Sequence, residues 1–283
     1  MNSDPRVEKR RHGWLGQMSN QARTLIVCVI TVVTIMGLVL VGPIPQDEGY
    51  HGFADQRSML GIPNFLNVAS NVPFLLTGLA GLGFVLGYAL PSTGSFINRF
   101  ERLPYVSFFL GITLTCFGSA YYHLAPTSDR LVWDRMPMSI AFMSLLAATI
   151  AERINVRAGL VLLAPLVLVG AASVIYWHVG EQSGSGDLRP YVLVQFYSLL
   201  AVILSAVLFP SRYTRGRDIL IAAGVYALAK LMEVLDSLIL SIGAIVSGHT
   251  LKHIVAAAAI FLVLRMLKHR TPAPEDRLAK DVA

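Results

Sequence analysis

Charge is scarce in this chain: Asp, Glu, Lys and Arg together make up 14% of 283 residues, while 54% are hydrophobic. An ordinary soluble domain carries about 25% charged and about 45–50% apolar residues, so the shortage excludes a water-soluble globule. A mean hydropathy of +0.60 agrees with that exclusion. Cysteine is nearly missing too. Cys28 and Cys116 both lie inside apolar runs, which excludes a disulfide framework and a thiolate cluster and leaves His and carboxylate as ligands for any metal. No internal repeat or low-complexity stretch is present.

What the chain has in quantity is long apolar runs. Eight can be read, at about 24–43, 66–90, 104–123, 136–151, 158–177, 190–209, 219–241 and 249–267. At about 20 residues per span they use about 160 residues, leaving short loops and one compact, all-α polytopic membrane unit. The fourth run is short, and Pro137 marks its start as a first-turn proline would. The first run follows Arg6, Lys9, Arg10, Arg11 and Arg23. It is longer than the 7–15 residues of a signal-peptide core and no A-x-A site follows, so a retained helix is expected. The polar ends, about 1–20 and 271–283, are expected to be mobile.

Orientation follows from the basic residues, because loops rich in Lys and Arg stay in the cytoplasm. With the N-terminus inside, the inner segments hold seventeen of the 23 Lys and Arg, against four outside, namely Arg57, Arg130, Arg135 and Arg189. Both termini are therefore expected in the cytoplasm. The net charge of +6 is accounted for by topology, and nucleic acid is not an expected partner.

Polar residues inside spans are costly and are functional candidates by default. Ser119 and His123 stand four apart near the outer end of the third run and share a helix face. Asp134 precedes the fourth run. Lys230, Glu233 and Asp236 lie in the seventh, and His249 and His253 open the eighth. By the loop count, Ser119, His123, Asp134, His249 and His253 all fall at the outer membrane level.

Two histidines four apart on a helix can bind one ion, and His123 would complete the three-ligand set of a catalytic zinc site. His178, at the outer end of the fifth run, is the competing third ligand, although Trp177-His178 equally suits an interfacial aromatic belt. His12, His51 and His269 read as loop or tail residues. Beside a metal, Asp134 could move a proton, or it could cap the fourth helix. Ser119 could donate to an oxyanion, or bond its own helix. Lys230 and Glu233 could neutralise one another, and Asp236 could orient an imidazole.

The set Gly118-Ser119-x3-His123, Asp134-x2-Pro137 eleven residues beyond that histidine, and His249-x3-His253 resembles the alkaline ceramidase family of seven-helix membrane zinc hydrolases, in the superfamily that includes adiponectin receptors. The stretch Ile62-Pro63-Asn64-Phe65-Leu66-Asn67-Val68-Ala69-Ser70-Asn71 resembles the opening of that family's first core helix. The resemblance implies zinc on His123, His249 and His253, with Ser119 and Asp134 as catalytic residues. It implies hydrolysis of a ceramide-like membrane lipid to a sphingoid base and a fatty acid. It also implies a division into a basic cytoplasmic tail (1–23), an added N-terminal transmembrane helix (24–43), a seven-helix core (50–267) and a polar cytoplasmic tail (268–283). Three departures bear on specificity. Asn64 stands where eukaryotic members carry an acidic calcium-site residue, and the acidic cluster before it is reduced to Asp47, Glu48 and Asp55, so calcium is in doubt. Lys252 replaces an aromatic residue between the paired histidines, and the loop at about 178–190 has no clear counterpart.

The sequence thus leads to an intramembrane zinc amidase for ceramide or another long-chain N-acyl amine, in a bacterial inner membrane, with its zinc site toward the outer side. The alternatives are a receptor-like or regulatory seven-helix protein with a structural zinc, and a metal or proton transporter using Lys230, Glu233 and Asp236.

Overall fold

A computed structural model describes residues 18–87 and 94–274. Residues 1–17 and 275–283, which hold most of the expected mobile ends, lie outside the described residues, as do 88–93. The described chain forms nine helices and no strand. They are α1 Asn20–Leu40, α2 Phe65–Gly87, α3 Leu103–Leu124, α4 Ser128–Arg153, α5 Val156–Gln182, α6 Arg189–Leu208, α7 Asp218–Val234, α8 Asp236–Gly243 and α9 Gly248–His269. All but α7 and α8 belong to the seven stretches long and apolar enough to cross a membrane, as an all-α polytopic membrane protein requires.

The seventh apolar run, read as one span over 219–241, is two helices. Leu235 leaves helical geometry (φ −93°, ψ 21°) and separates α7 from α8. At 17 residues α7 is about 25 Å long by its rise per residue. It still joins the two ends of the bundle. Just before it, Tyr213 meets Glu101 near the start of α3, whereas at its far end Glu233 meets Lys252 beside His253.

α4 begins eight residues earlier than its apolar run suggested. Thr127 is the N-cap, its Oγ1 accepting from the Arg130 amide at 3.3 Å, and Pro137 lies inside the helix rather than in its first turn. The start was hidden because Asp129, Arg130, Asp134 and Arg135 occupy the first two turns. Asp134 is therefore no helix cap.

α2 is interrupted at Ser70 and Asn71. Pro73 has no amide to donate to the Ala69 carbonyl, so the helix opens one turn before it. Helix α1 packs differently from the rest: 6% of its most apolar window is buried. Its open surface is apolar, with Val33 63% and Leu40 83% exposed, the composition of a face turned to lipid. Thr31 ties it to Tyr197 of α6.

Away from the histidines, at the other end of the bundle, ion pairs staple the helices. Glu101 accepts from Arg212 at 3.2 Å and from the Tyr213 hydroxyl. Glu152 accepts from Tyr105 at 2.9 Å and from Arg270. Arg270 is buried, over the Tyr213 ring. The segment expected as a C-terminal tail from residue 268 is thus docked through Arg270 and the Ala273 amide, which bonds the Arg212 carbonyl at 2.8 Å.

Candidate metal centre

Two helix termini bring three histidines to one point. His123 comes from the last turn of α3, His249 and His253 from the first two turns of α9. All three are buried, 1%, 5% and 3% exposed, and one nitrogen from each lies within 4.8 Å of the others. His249 Nε2 and His123 Nε2 stand 3.3 Å apart. Ligands about 2.0–2.1 Å from one tetrahedral zinc are about 3.3–3.4 Å from one another, so this spacing fits a zinc-sized ion. No carboxylate or cysteine among the described residues joins this set.

The second ring nitrogen of His253 is fixed by a residue the sequence reading gave no role. Ser70 Oγ lies 2.8 Å from His253 Nδ1 and 3.2 Å from the Asn67 carbonyl. A hydroxyl has one hydrogen. With that hydrogen given to Asn67, His253 Nδ1–H donates to Ser70 and Nε2 keeps its lone pair for a metal. Asn67 Oδ1 also accepts from Thr250 at 2.8 Å, and Asn64 Nδ2 donates to the His123 carbonyl at 2.9 Å. The broken start of α2 therefore holds both ligand helices. Phe53 completes the wall, its ring centroid 4.6 Å from that of His123 and 4.5 Å from that of His249.

Ser119 of α3 and Asp134 of α4 come together beside this point, both lining one cavity with His253. They can meet because Gly118 lies against the Trp133 backbone carbonyl, where a Cβ would collide. Asp236 does not orient an imidazole. Its Oδ1 accepts from the His249 backbone amide at 2.7 Å and its Oδ2 from the Ala54 amide at 3.0 Å, so it fixes the start of α9. Gly248 packs against the backbone of Met232 and Asp236, which makes that approach possible. Lys230 and Glu233 do pair, and Lys252 joins them, its Nζ 2.8 Å from Glu233 Oε1.

His178 is not part of the centre. It lies 3.1 Å from Gln182 and 3.9 Å from Asp129. His51 is not a bare loop residue: Nδ1 is 2.9 Å from the Tyr122 hydroxyl and Nε2 3.2 Å from Ser128 Oγ. Burial first, then the charge of Arg135, holds its pKa below the usual imidazole value. Two residues of the thinned acidic cluster, Asp47 and Asp55, have protein partners. Asp47 Oδ1 accepts from the Gly49 amide at 2.9 Å, and Asp55 takes Arg57 Nε at 2.9 Å and Nη2 at 2.7 Å. Those bonds hold the Asp55 carboxyl below the ordinary carboxylate range. The loop after α5 is anchored likewise, Asp187 accepting from Arg189 and Leu188 N bonding the Ile44 carbonyl at 2.8 Å.

A cavity of about 140 Å³ starts at this end of the bundle, where Ser119, Asp134 and His253 line it together with Lys230, Glu233 and Lys252. From there it runs between α3, α4, α6, α7 and α9 past Phe108, Ile112, Val202 and Ile219 to Val263. From His253 to Val263 is about 15 Å along α9. Compared with protein-family models, with curated proteins and with solved structures, the chain matches none.

Proposed function

We propose that this protein is a zinc-dependent intramembrane amidase that hydrolyses ceramide or a related long-chain N-acyl lipid to an amine base and a fatty acid. The observation that carries this reading is three buried imidazoles beside a Ser119–Asp134 pair at the head of an apolar cavity. Apolar walls with a few convergent polar groups suit an acyl amide. The resemblance of the motif set to the alkaline ceramidases supports the same reaction.

His123, His249 and His253 would hold zinc, which supplies Lewis acidity at the amide carbonyl and lowers the pKa of water. Asp134 takes a proton from the attacking water and passes it to the leaving nitrogen. A C–O bond forms, the C–N bond breaks, and the products are a fatty acid and an amine. Ser119 donates to the oxyanion that develops on the carbonyl oxygen. The buried setting keeps bulk water from competing for these donors.

A receptor-like protein with a structural zinc would call for a fourth protein ligand, and the described residues offer three. A transporter would call for a polar path through the bundle. The cavity wall between His253 and Val263 is mainly apolar, and the buried charges at the opposite end are already paired. The proposal sets the protein in a bacterial inner membrane, termini cytoplasmic and metal centre outward. The seventeen-to-four distribution of basic residues supports that orientation.

The test is fatty-acid release from labelled ceramide and N-acylethanolamine by the purified protein. Release that stops on chelation and returns with zinc supports the amidase. Release indifferent to chelation, or none from either lipid, overturns it.

A further inference from the structure

The polar end of the cavity carries more positive than negative charge. Lys230 on α7 and Lys252 on α9 converge on one carboxylate, Glu233, from opposite sides, each through a single N–H. Apart from the Phe196 ring, whose centroid lies 5.8 Å from Lys230 Nζ, neither ammonium has another protein partner among the described residues, so four N–H groups remain without a hydrogen-bond acceptor. Both lysines line the cavity, with side chains 30% and 17% exposed. They are not stranded snorkelling residues at a lipid boundary, because the Glu233 between them is itself a cavity residue.

A second, independent observation points the same way. Arg135, one residue from Asp134, is buried and forms no ion pair with a carboxylate among the described residues. Gln46 Oε1 takes one of its N–H groups at 2.7 Å, and its Nη1 has no hydrogen-bond partner. The guanidinium is held over the rings of Tyr50, Trp177 and Tyr191, at 5.4, 4.3 and 4.7 Å from their centroids. Tyr50 and Tyr191 line the cavity. Against these three cations stand Glu233 and Asp134. Asp236 is turned away, both its oxygens occupied by backbone amides. The excess is one positive charge before any metal, and a dication on the histidines would raise it. Uncompensated charge in a partly buried site is costly, and an anionic ligand removes the cost.

We propose that Lys230 and Lys252 form a headgroup subsite for a carboxylate, so that the preferred substrate is a long-chain N-acyl amino acid rather than a neutral N-acyl lipid. The proposal rests on the amidase reading. The scissile amide lies between the Ser119–Asp134 pair and the apolar channel, and the carboxylate on the amine half lies against the two ammonium groups. Each lysine can give the carboxylate a charge-assisted hydrogen bond without releasing Glu233, because each has spare donors. Glu233 keeps the two like charges together and sets their spacing.

The experiment compares N-oleoylglycine with N-oleoylethanolamine, which share the acyl chain and the amide and differ in the headgroup carboxylate. Equilibrium binding is measured on the intact, chelator-treated protein, and initial cleavage rates on the zinc-loaded protein. Wild type is expected to bind N-oleoylglycine about tenfold or more tightly. Lys230→Met and Lys252→Met should each shrink that ratio, and Glu233→Gln, which leaves both ammonium groups in place, should widen it. Equal binding of the two ligands by wild type overturns the subsite, as does a ratio unchanged in all three variants. If a lysine variant does not fold, the Glu233→Gln arm decides alone. Preferred binding of the acid with no cleavage of either ligand keeps the subsite and sinks the amidase. Cleavage of both at equal efficiency, without a binding preference, sinks the subsite and keeps the amidase.

Discussion

Ser70 Oγ stands 2.8 Å from Nδ1 of His253, and this contact ties the break in α2 to the metal centre. The break frees Ser70 and Asn71 from regular helix, and Pro73 causes it. Ser70→Ala should lower metal affinity about 10–100-fold, the usual effect of removing a group that orients a ligand. Competition with a chelator of known affinity measures it. An unchanged affinity would mean that the hydroxyl does not orient His253.

Gly118 sets the distance between α3 and α4. A methyl group there meets the Trp133 carbonyl, which is backbone and cannot rotate aside. Gly118→Ala should cost about 1–3 kcal/mol of stability, as overpacking does, and should cut turnover by parting Ser119 from Asp134. Thermal unfolding in detergent and the amidase assay check the two effects separately.

Asp134 moves the proton in the proposed reaction but is not among the three clustered ligands. Asp134→Asn should therefore keep its metal and lose about 10²–10⁴ in rate, the range of general acid–base catalysis. Metal loss in this variant would make Asp134 a ligand instead. Ser119→Ala should also keep its metal, with a fall in turnover of about 10²–10³.

The loop before α2 is closed by Asp55 and Arg57, and Arg57 also donates to the Ala244 and Ile245 carbonyls beyond α8. Arg57 lowers the Asp55 pKa on folding, chiefly by hydrogen bonding. A depressed carboxyl pKa stabilises the fold above its unfolded value, about 3.9, and that contribution fades as pH falls through the folded value. Asp55→Asn should accordingly lower the melting temperature at pH 7, and the gap to wild type should narrow below about pH 4. A gap independent of pH would contradict the ion-pair account.

Much of this was legible in the sequence, and the exceptions have physical causes. Apolar runs mark membrane helices because lipid tolerates little else, so most helices lie where the runs do. The start of α4 was lost because a helix that turns polar residues into the protein near its end has no apolar signature there. The α7–α8 break was lost because nothing in the local composition interrupts the run. His123, His249 and His253 could be read from helical spacing and membrane depth. Ser70, Phe53 and the exact partners of Asp236 could not, because each acts across the fold. The triplet spacing of Asn64, Asn67 and Ser70 in an apolar stretch was the available signal. The pairs Glu101–Arg212 and Glu152–Arg270 could not be read either, because the partners lie more than a hundred residues apart in sequence.

The most direct test of the central claim is the zinc content of the purified protein, wild type beside His123→Ala, His249→Ala, His253→Ala and His178→Ala. The account predicts about one zinc per chain in wild type and in His178→Ala, and loss of it in each of the other three. Zinc retained when any one of His123, His249 or His253 is replaced, or lost when His178 is, would contradict it.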